Sequence, residues 1–178
     1  ASREAGALFV LDCITSGAMW VDMAALCVDV LISAPQKGWS GSPCAGLVMM
    51  GDRALARLAE TTSSSFALDL KKWREISAAY ENGGHAYHAT MPTDGLIQLS
   101  AMLDETRAFG FDRARDAQAE LGERVRQLLG QHGFPSVAER GFEAPGVVVS
   151  DSEDAGLAGR FAAAGLQIAA GVPLQCGE

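Results

Sequence analysis

Residues 28–39 read VDVLISAPQKGW. An apolar run, CVDVLI (27–32), passes into a serine, then a single lysine, Lys37, then a turn rich in glycine, serine and proline. A short continuous apolar run bounded by turn residues is the pattern of a strand buried on both faces. The pattern recurs upstream in ALFVLDC (7–13), which ends on Asp12, and downstream in AGLVMM (45–50). If the first two strands are parallel, Asp12 and Lys37 reach the same edge of one sheet, the edge at which ligands collect in α/β folds. The segment between them, TSGAMWVDMAALC (15–27), has the length of a crossover or of a loop with a short helix. A lone acid or lysine at a strand end is ordinarily a solvated cap, so the neighbouring residues decide what these two do.

Beyond residue 50 the period becomes helical. GDRALARLAE (51–60) spaces Leu55 and Leu58 for one face, and TTSSS (61–65) breaks the pattern. DLKKWREISAAYENGG (69–84) is polar and irregular and reads as a loop or lid. TDGLIQLSAMLDETRAFGF (93–111) reads as a helix capped by Thr93 or Asp94, with Leu96, Leu99 and Leu103 as its apolar stripe. Residues 112–133 form the clearest helical pattern, with Ala117, Leu121, Val125 and Leu128 on one face and Gly130 and Gly133 near the end. A strand at APGVVVS (144–150), a capped helix over residues 151–165 and a strand at LQIAAGV (166–172) complete an α-β-α-β tail. The expected organisation is α/β, with one domain over residues 1–111 and a smaller one over residues 112–178.

Composition narrows the function classes. The 178 residues are 48% apolar and 20% charged, which are globular values, and the formal net charge is -8. An acidic chain offers no field to draw in a phosphate backbone or an anionic lipid surface, so neither nucleic acid nor membrane is an expected partner. Cys13, Cys27, Cys44 and Cys176 lie in apolar surroundings without C-x-x-C spacing and read as buried thiols of a reduced, cytoplasmic compartment. The sequence has no apolar stretch of membrane-spanning length, and its first residues lack the pattern of a signal peptide.

Common catalytic motifs are missing. GWSGS (38–42) is out of register for a G-x-S-x-G nucleophile elbow, and no glycine-rich phosphate loop precedes a Lys-Ser or Lys-Thr pair. His85 and His88 stand three apart in HAYH, but no acid or cysteine nearby completes a metal set, so no metal is expected.

The whole stretch from Leu11 to Gly46 resembles the lysine region of class V aminotransferases, within the fold-type I pyridoxal-phosphate enzymes. It is most similar to the alanine-glyoxylate and serine-glyoxylate (serine-pyruvate) branch. The residues that carry the resemblance are Asp12, Asp22, Ser33 and the pair Gln36-Lys37, with SPCAG (42–46) where Pro-Pro-Gly is more usual. A second motif, YHATMP (87–92), is similar to the family's Tyr-His-x-Thr-x-Pro segment and follows in the right order. The resemblance covers residues 7 to 110 well and the tail more loosely. It implies the C-terminal part of the fold-type I large domain, a mostly parallel sheet with helices, followed by part of an α+β small domain.

The resemblance also implies roles. Lys37 would form the Schiff base with pyridoxal 5'-phosphate and move the proton at the substrate α-carbon, for which its amine must be desolvated or set beside positive charge. Asp12 would pair with the cofactor's ring nitrogen, and Ile14, two residues on along the strand, would pack on the ring. Gln36 would hydrogen-bond the cofactor phosphate, as would Tyr87 and Thr90 from the neighbouring subunit of a homodimer. The implied reaction is amino transfer from alanine or serine to glyoxylate or pyruvate, a small amino acid and a 2-oxo acid. Racemase or lyase chemistry on the same scaffold, and an inactive dimerisation module, are the alternatives. The family's glycine-rich phosphate turn, ring-stacking aromatic and carboxylate-binding arginine match nothing in the sequence, and Arg160 does not fit the last of these. A companion N-terminal segment is therefore expected.

Overall fold

The computed structural model describes residues 1–169. Three short strands form one sheet in the order β1 (Val10–Asp12), β2 (Val30–Ser33), β3 (Leu47–Met50). β1 and β2 run parallel, with Val10 beside Val30 and Asp12 beside Ile32. β3 returns antiparallel, with Ser33 opposite Leu47 and Val30 opposite Met50, so the sheet is mixed. Of the three strands expected to be buried on both faces, only the central one comes near it. β2 buries Leu31 and Ser33 and half-buries its other two residues, whereas β1 exposes Val10 and Asp12. Segment 15–27 crosses between β1 and β2 through turns and contains no helix.

The start of the sheet is held by charge. Asp29, only 3% exposed, receives the Nη1 of Arg53 on both carboxylate oxygens, at 2.9 and 3.1 Å, and the backbone N–H of Phe9 at 2.8 Å. Arg53 Nη2 donates to Ala7 O at 3.1 Å, and Gly51 N donates to Asp29 O at 2.9 Å. A buried carboxylate requires such pairing. The arrangement ties the residues before β1, the start of β2 and the first turn of α1 (Asp52–Glu60) into one cluster.

Four more helices follow among the described residues. Residues 69–84, expected as a loop or lid, are mostly α2 (Leu70–Glu81). Leu70, Trp73, Ile76 and Ala79 fall on its less exposed side, and Ile76 is buried. The Asp69 side chain caps it by accepting from Lys72 N, and Lys71 Nζ bonds Ala59 O and Thr61 O at the end of α1. α3 (Thr93–Phe109) keeps the expected stripe, with Leu99 buried and Leu96 and Leu103 half-buried. Its cap differs from expectation: Pro92 holds the N-cap position without a side-chain bond, and Thr93 and Asp94 lie inside the first turn. α4 (Phe111–Gln131) ends near Gly133, whose φ of +83° suits glycine.

The chain divides into two units, Ala1–Arg115 and Asp116–Glu178. In the second, the face of α4 that turns inward shares only Val125 with the expected one. Leu121 and Leu128 are 61% and 54% exposed, while Gln118, Gly122, Val125 and Leu129 turn toward the unit. Gly122 is the residue that sets this rotation: a Cβ on it would stand 2.3 Å from Pro145 O. Gly122→Ala should therefore destabilise the unit by about 1–3 kcal/mol from overpacking against rigid backbone, more than the ~1 kcal/mol of helix propensity it gains. Urea unfolding followed by circular dichroism measures the balance.

The expected strand at 144–150 is present only as a single bridge between Ser136 and Ser150, flanked by a bond from Val137 N to Val149 O at 3.0 Å. α5 (Leu157–Ala163) has Gly156 at its N-cap with no side-chain bond and ends just before Gly165, at φ +84°. Residues 166–169 of the last expected strand carry no ladder, and the remainder of it, like Cys176, lies outside the described residues.

Candidate active site

Parallel pairing of β1 with β2 brings the ends of both strands to one edge of the sheet. Cys13 N extends the ladder by donating to Ile32 O at 2.8 Å, after which the chain turns away. Asp12 sits at this edge with its carboxylate exposed. Its Oδ1 accepts the N–H of Ile14 at 2.9 Å, which fixes the carboxylate and leaves Oδ2 without a partner among the described residues. Ile14 itself lies in that turn rather than on the strand, so strand alternation does not place it; it is half-buried.

Lys37 follows β2 in a turn whose frame is rigid. Pro35 is the largest fully buried side chain, Gly41 N donates to Pro35 O at 2.9 Å, and Ser40 N donates to Lys37 O at 3.1 Å. The Lys37 amine is exposed and makes no hydrogen bond or ion pair among the described residues, so the burial expected of it is not found among them. Gln36 is exposed beside it.

Two contacts unforeseen from the sequence join the Lys37 turn to the Asp12 turn. Gly38 lies against Gly17 so closely that a Cβ on Gly38 would stand 2.4 Å from Gly17 O. Trp39 stacks on Trp20 with ring centroids 5.0 Å apart and donates its indole N–H to Ser33 Oγ at 3.2 Å. Glycine and tryptophan in GWSGS carried the signal, but nothing in spacing alone pairs residue 38 with residue 17.

These rings line a cleft of about 440 Å³ with Met19, Leu31, Met49 and Phe111. It occupies the other side of the sheet from Asp12, because Leu31 and Met49 are cross-strand partners and alternate with the Asp12–Ile32 pair. Cys13 faces this cleft, where burial pushes its thiol above the ordinary range against an opposing hydrogen bond from Ser16. The thiol therefore stays protonated at neutral pH. Cys13, Cys27 and Cys44 are free and half-buried rather than buried.

Tyr87 and Thr90 share one exposed loop between α2 and α3, with their hydroxyls 3.2 Å apart and Tyr87 72% exposed. His88 between them is structural. Its ring stacks on Phe66 at 4.0 Å and meets the edge of Trp73 at 5.2 Å, and its Nε2 lies 3.0 Å from Phe66 O. A carbonyl only accepts, so Nε2 carries the hydrogen. His85 packs near Tyr80 instead, and among the described residues no group of three or more acids, cysteines and histidines could hold a metal ion. Among the same residues, no helix is long and apolar enough to cross a membrane.

Comparison with known proteins shows the family and the fold. The family model "Aminotransferase class-V" matches residues 1–150. A 2-aminoethylphosphonate–pyruvate transaminase of Burkholderia mallei is 35% identical over 117 residues, covering 65% of this chain and 30% of the relative. A second such transaminase, of Burkholderia lata, is 29% identical over 154 residues, covering 85% and 40%. The crystal structure of alanine–glyoxylate aminotransferase from Nostoc sp. superposes with a TM-score of 0.86 at 22% identity, over 96% of this chain and 46% of its own. An aspartate aminotransferase from Thermus thermophilus gives 0.79 at 23%, over 96% and 47%. The chain thus spans less than half the length of these relatives, and its α/β fold is part of the fold-type I architecture. With a family match over most of its length and a strand-end geometry to suit, the chain belongs to the class V aminotransferases.

Proposed function

We propose that this chain carries the lysine-bearing part of a pyridoxal 5'-phosphate-dependent transaminase, organised as residues 1–111 of a large domain and 112–178 of a small one. The observation that carries the reading is the parallel β1–β2 register, which sets a carboxylate and a lysine turn at one sheet edge. The donor set fits the cofactor: an amine for its aldehyde, a carboxylate for its ring nitrogen, and an amide with two hydroxyls for its phosphate. Pyridoxal phosphate, when bound, supplies the electron sink that makes an α-proton of an amino acid removable.

The chain's own residues do the rest. Asp12, its Oδ1 fixed by Ile14 N, would offer Oδ2 to the ring nitrogen and keep it protonated. Ile14 packs against the ring. Lys37 Nζ anchors the cofactor and carries the proton to and from the substrate α-carbon. Because Lys37 is exposed among the described residues, this reading requires that groups outside them, from a homodimer partner, a companion segment or the bound cofactor, exclude water from it. Gln36 donates to the phosphate, and the outward-facing Tyr87 and Thr90 do so for the neighbouring subunit.

The acceptor is a small 2-oxo acid, glyoxylate or pyruvate, and the donor is alanine or serine. A second donor class, an aminoalkylphosphonate, is favoured by the names of the 35% identical relatives. The test is to load the full-length protein with pyridoxal phosphate, reduce with borohydride and map the label. Label on Lys37, with amino transfer to pyruvate or glyoxylate from one of these donors, supports the reading. Label without transfer favours a racemase or lyase, and no cofactor uptake at all favours a non-catalytic module. In the same assay Asp12→Asn should lower kcat by about 10²- to 10⁴-fold while cofactor is retained, since the amide cannot hold the ring nitrogen protonated.

A further inference from the structure

We infer that Gly38 is a positioning residue: its backbone, seated on the backbone of Gly17, fixes where the Lys37 turn stands relative to the Asp12 turn. The inference rests on the pyridoxal-phosphate reading of Lys37 and Asp12. Gly38 and Gly17 touch no reacting atom. They act through the two residues whose separation the chemistry depends on.

The close approach is specific. A Cβ on Gly38 would lie 2.4 Å from Gly17 O and 2.7 Å from both its C and Cα, where real Cβ atoms essentially never come within 3.0 Å. All three are backbone atoms, so no side chain can swing aside. Gly17 is constrained as well, at φ +64°, a conformation that favours glycine. It lies in the run of turns that Asp12 begins, held by bonds from Ser16 N and Ser16 Oγ to Cys13 O at 3.2 and 3.0 Å.

On the other side the Lys37 turn cannot yield freely. Buried Pro35 holds its start, the Gly41–Pro35 bond closes it, and Trp39 is pinned to Ser33 and stacked on Trp20. A methyl group at residue 38 would push the two turns apart by about 1 Å, the gap between 2.4 Å and the 3.4 Å of ordinary contact. A displacement of that size costs about 10²-fold in rate when it separates groups that must act together.

The experiment compares full-length wild type, Gly38→Ala, Trp39→Phe and Ile76→Ala. Each is loaded with pyridoxal phosphate and read by cofactor affinity, the pH midpoint of the cofactor absorption band, kcat and melting temperature. Amide hydrogen exchange at Ser40 and Gly41 is read in the cofactor-free protein. Gly38→Ala should lower kcat by about 10²-fold, move the band midpoint and weaken cofactor affinity, and its Ser40 and Gly41 amides should exchange faster. Trp39→Phe keeps the ring stack but loses the bond to Ser33, and should move every readout the same way by less. Ile76→Ala, a core truncation in α2, should lower the melting temperature and leave the band midpoint and kcat in place.

Wild-type midpoint, affinity and kcat in Gly38→Ala would overturn the inference, as would changes no different from those of Ile76→Ala. If Gly38→Ala fails to fold, Trp39→Phe decides, and wild-type values there overturn it. Wild-type protein with no cofactor band removes the pyridoxal reading itself, and this inference with it.

Discussion

Lys37→Ala is expected to abolish amino transfer and leave borohydride with nothing to fix. Two losses combine. On the proposed reading the anchoring amine disappears, so of the residues assigned here Asp12, Ile14 and the phosphate donors remain to hold the cofactor, and it should wash out on dialysis. The proton carrier disappears as well, which by itself costs about 10²- to 10⁴-fold in the chemical step. The two are separable by experiment. Saturating cofactor restores occupancy but not proton transfer, and a small primary amine added to the buffer should recover part of the rate. Lys37→Arg should not recover it, because a guanidinium stays protonated at working pH and cannot take a proton. Single-turnover rates at saturating cofactor distinguish the two losses. Because the turn is framed by Pro35, Gly41 and Trp39 rather than by the lysine side chain, Lys37→Ala should melt within a degree or two of wild type.

The second large effect concerns folding. Arg53→Met should destabilise the first unit by about 2–3 kcal/mol, because it leaves Asp29 buried with its charge offset only by the Phe9 N–H. The loss is smaller than for a fully buried pair because Arg53 is 36% exposed and water reaches it already. Asp29→Ala removes the buried charge and leaves a guanidinium that can hydrate, so its cost should be smaller than that of Arg53→Met. The double variant Asp29→Asn, Arg53→Met should recover part of the loss. Urea midpoints at unchanged slope measure all three. A double variant no more stable than Arg53→Met alone would show that the cluster acts through its backbone bonds rather than through charge.

Much of the sheet was legible from runs of apolar residues, because β2 and its neighbours need no partner to identify them. The inward face of α4 was not. Its leucines form an apolar stripe, yet Gly122 gives a closer approach to Pro145 than any leucine could, and a contact made by the absence of a side chain leaves no hydrophobic signal. α2 was missed for a related reason. Its inward residues recur every third position among lysine, arginine and glutamate, and a short helix with that spacing is hard to tell from an irregular segment. At the site, Asp12 and Lys37 could be named because each lies at or just past the end of an apolar run and because Gln36 and the downstream YHATMP motif accompany them. That they share one edge of the sheet, and that Ile14 falls in a turn, depended on hydrogen bonds that no periodicity encodes.

The Asp29–Arg53 cluster grips the strands at their beginning, whereas Asp12 and Lys37 lie where the strands end. On the proposed reading, robustness and reactivity are thus housed at opposite poles of one short sheet. Proteins commonly lose activity when stabilised, because the groups being tightened are the ones that must move. Here the two demands fall on different atoms, and an engineer could reinforce the beginning of the sheet while leaving the chemistry at its end untouched.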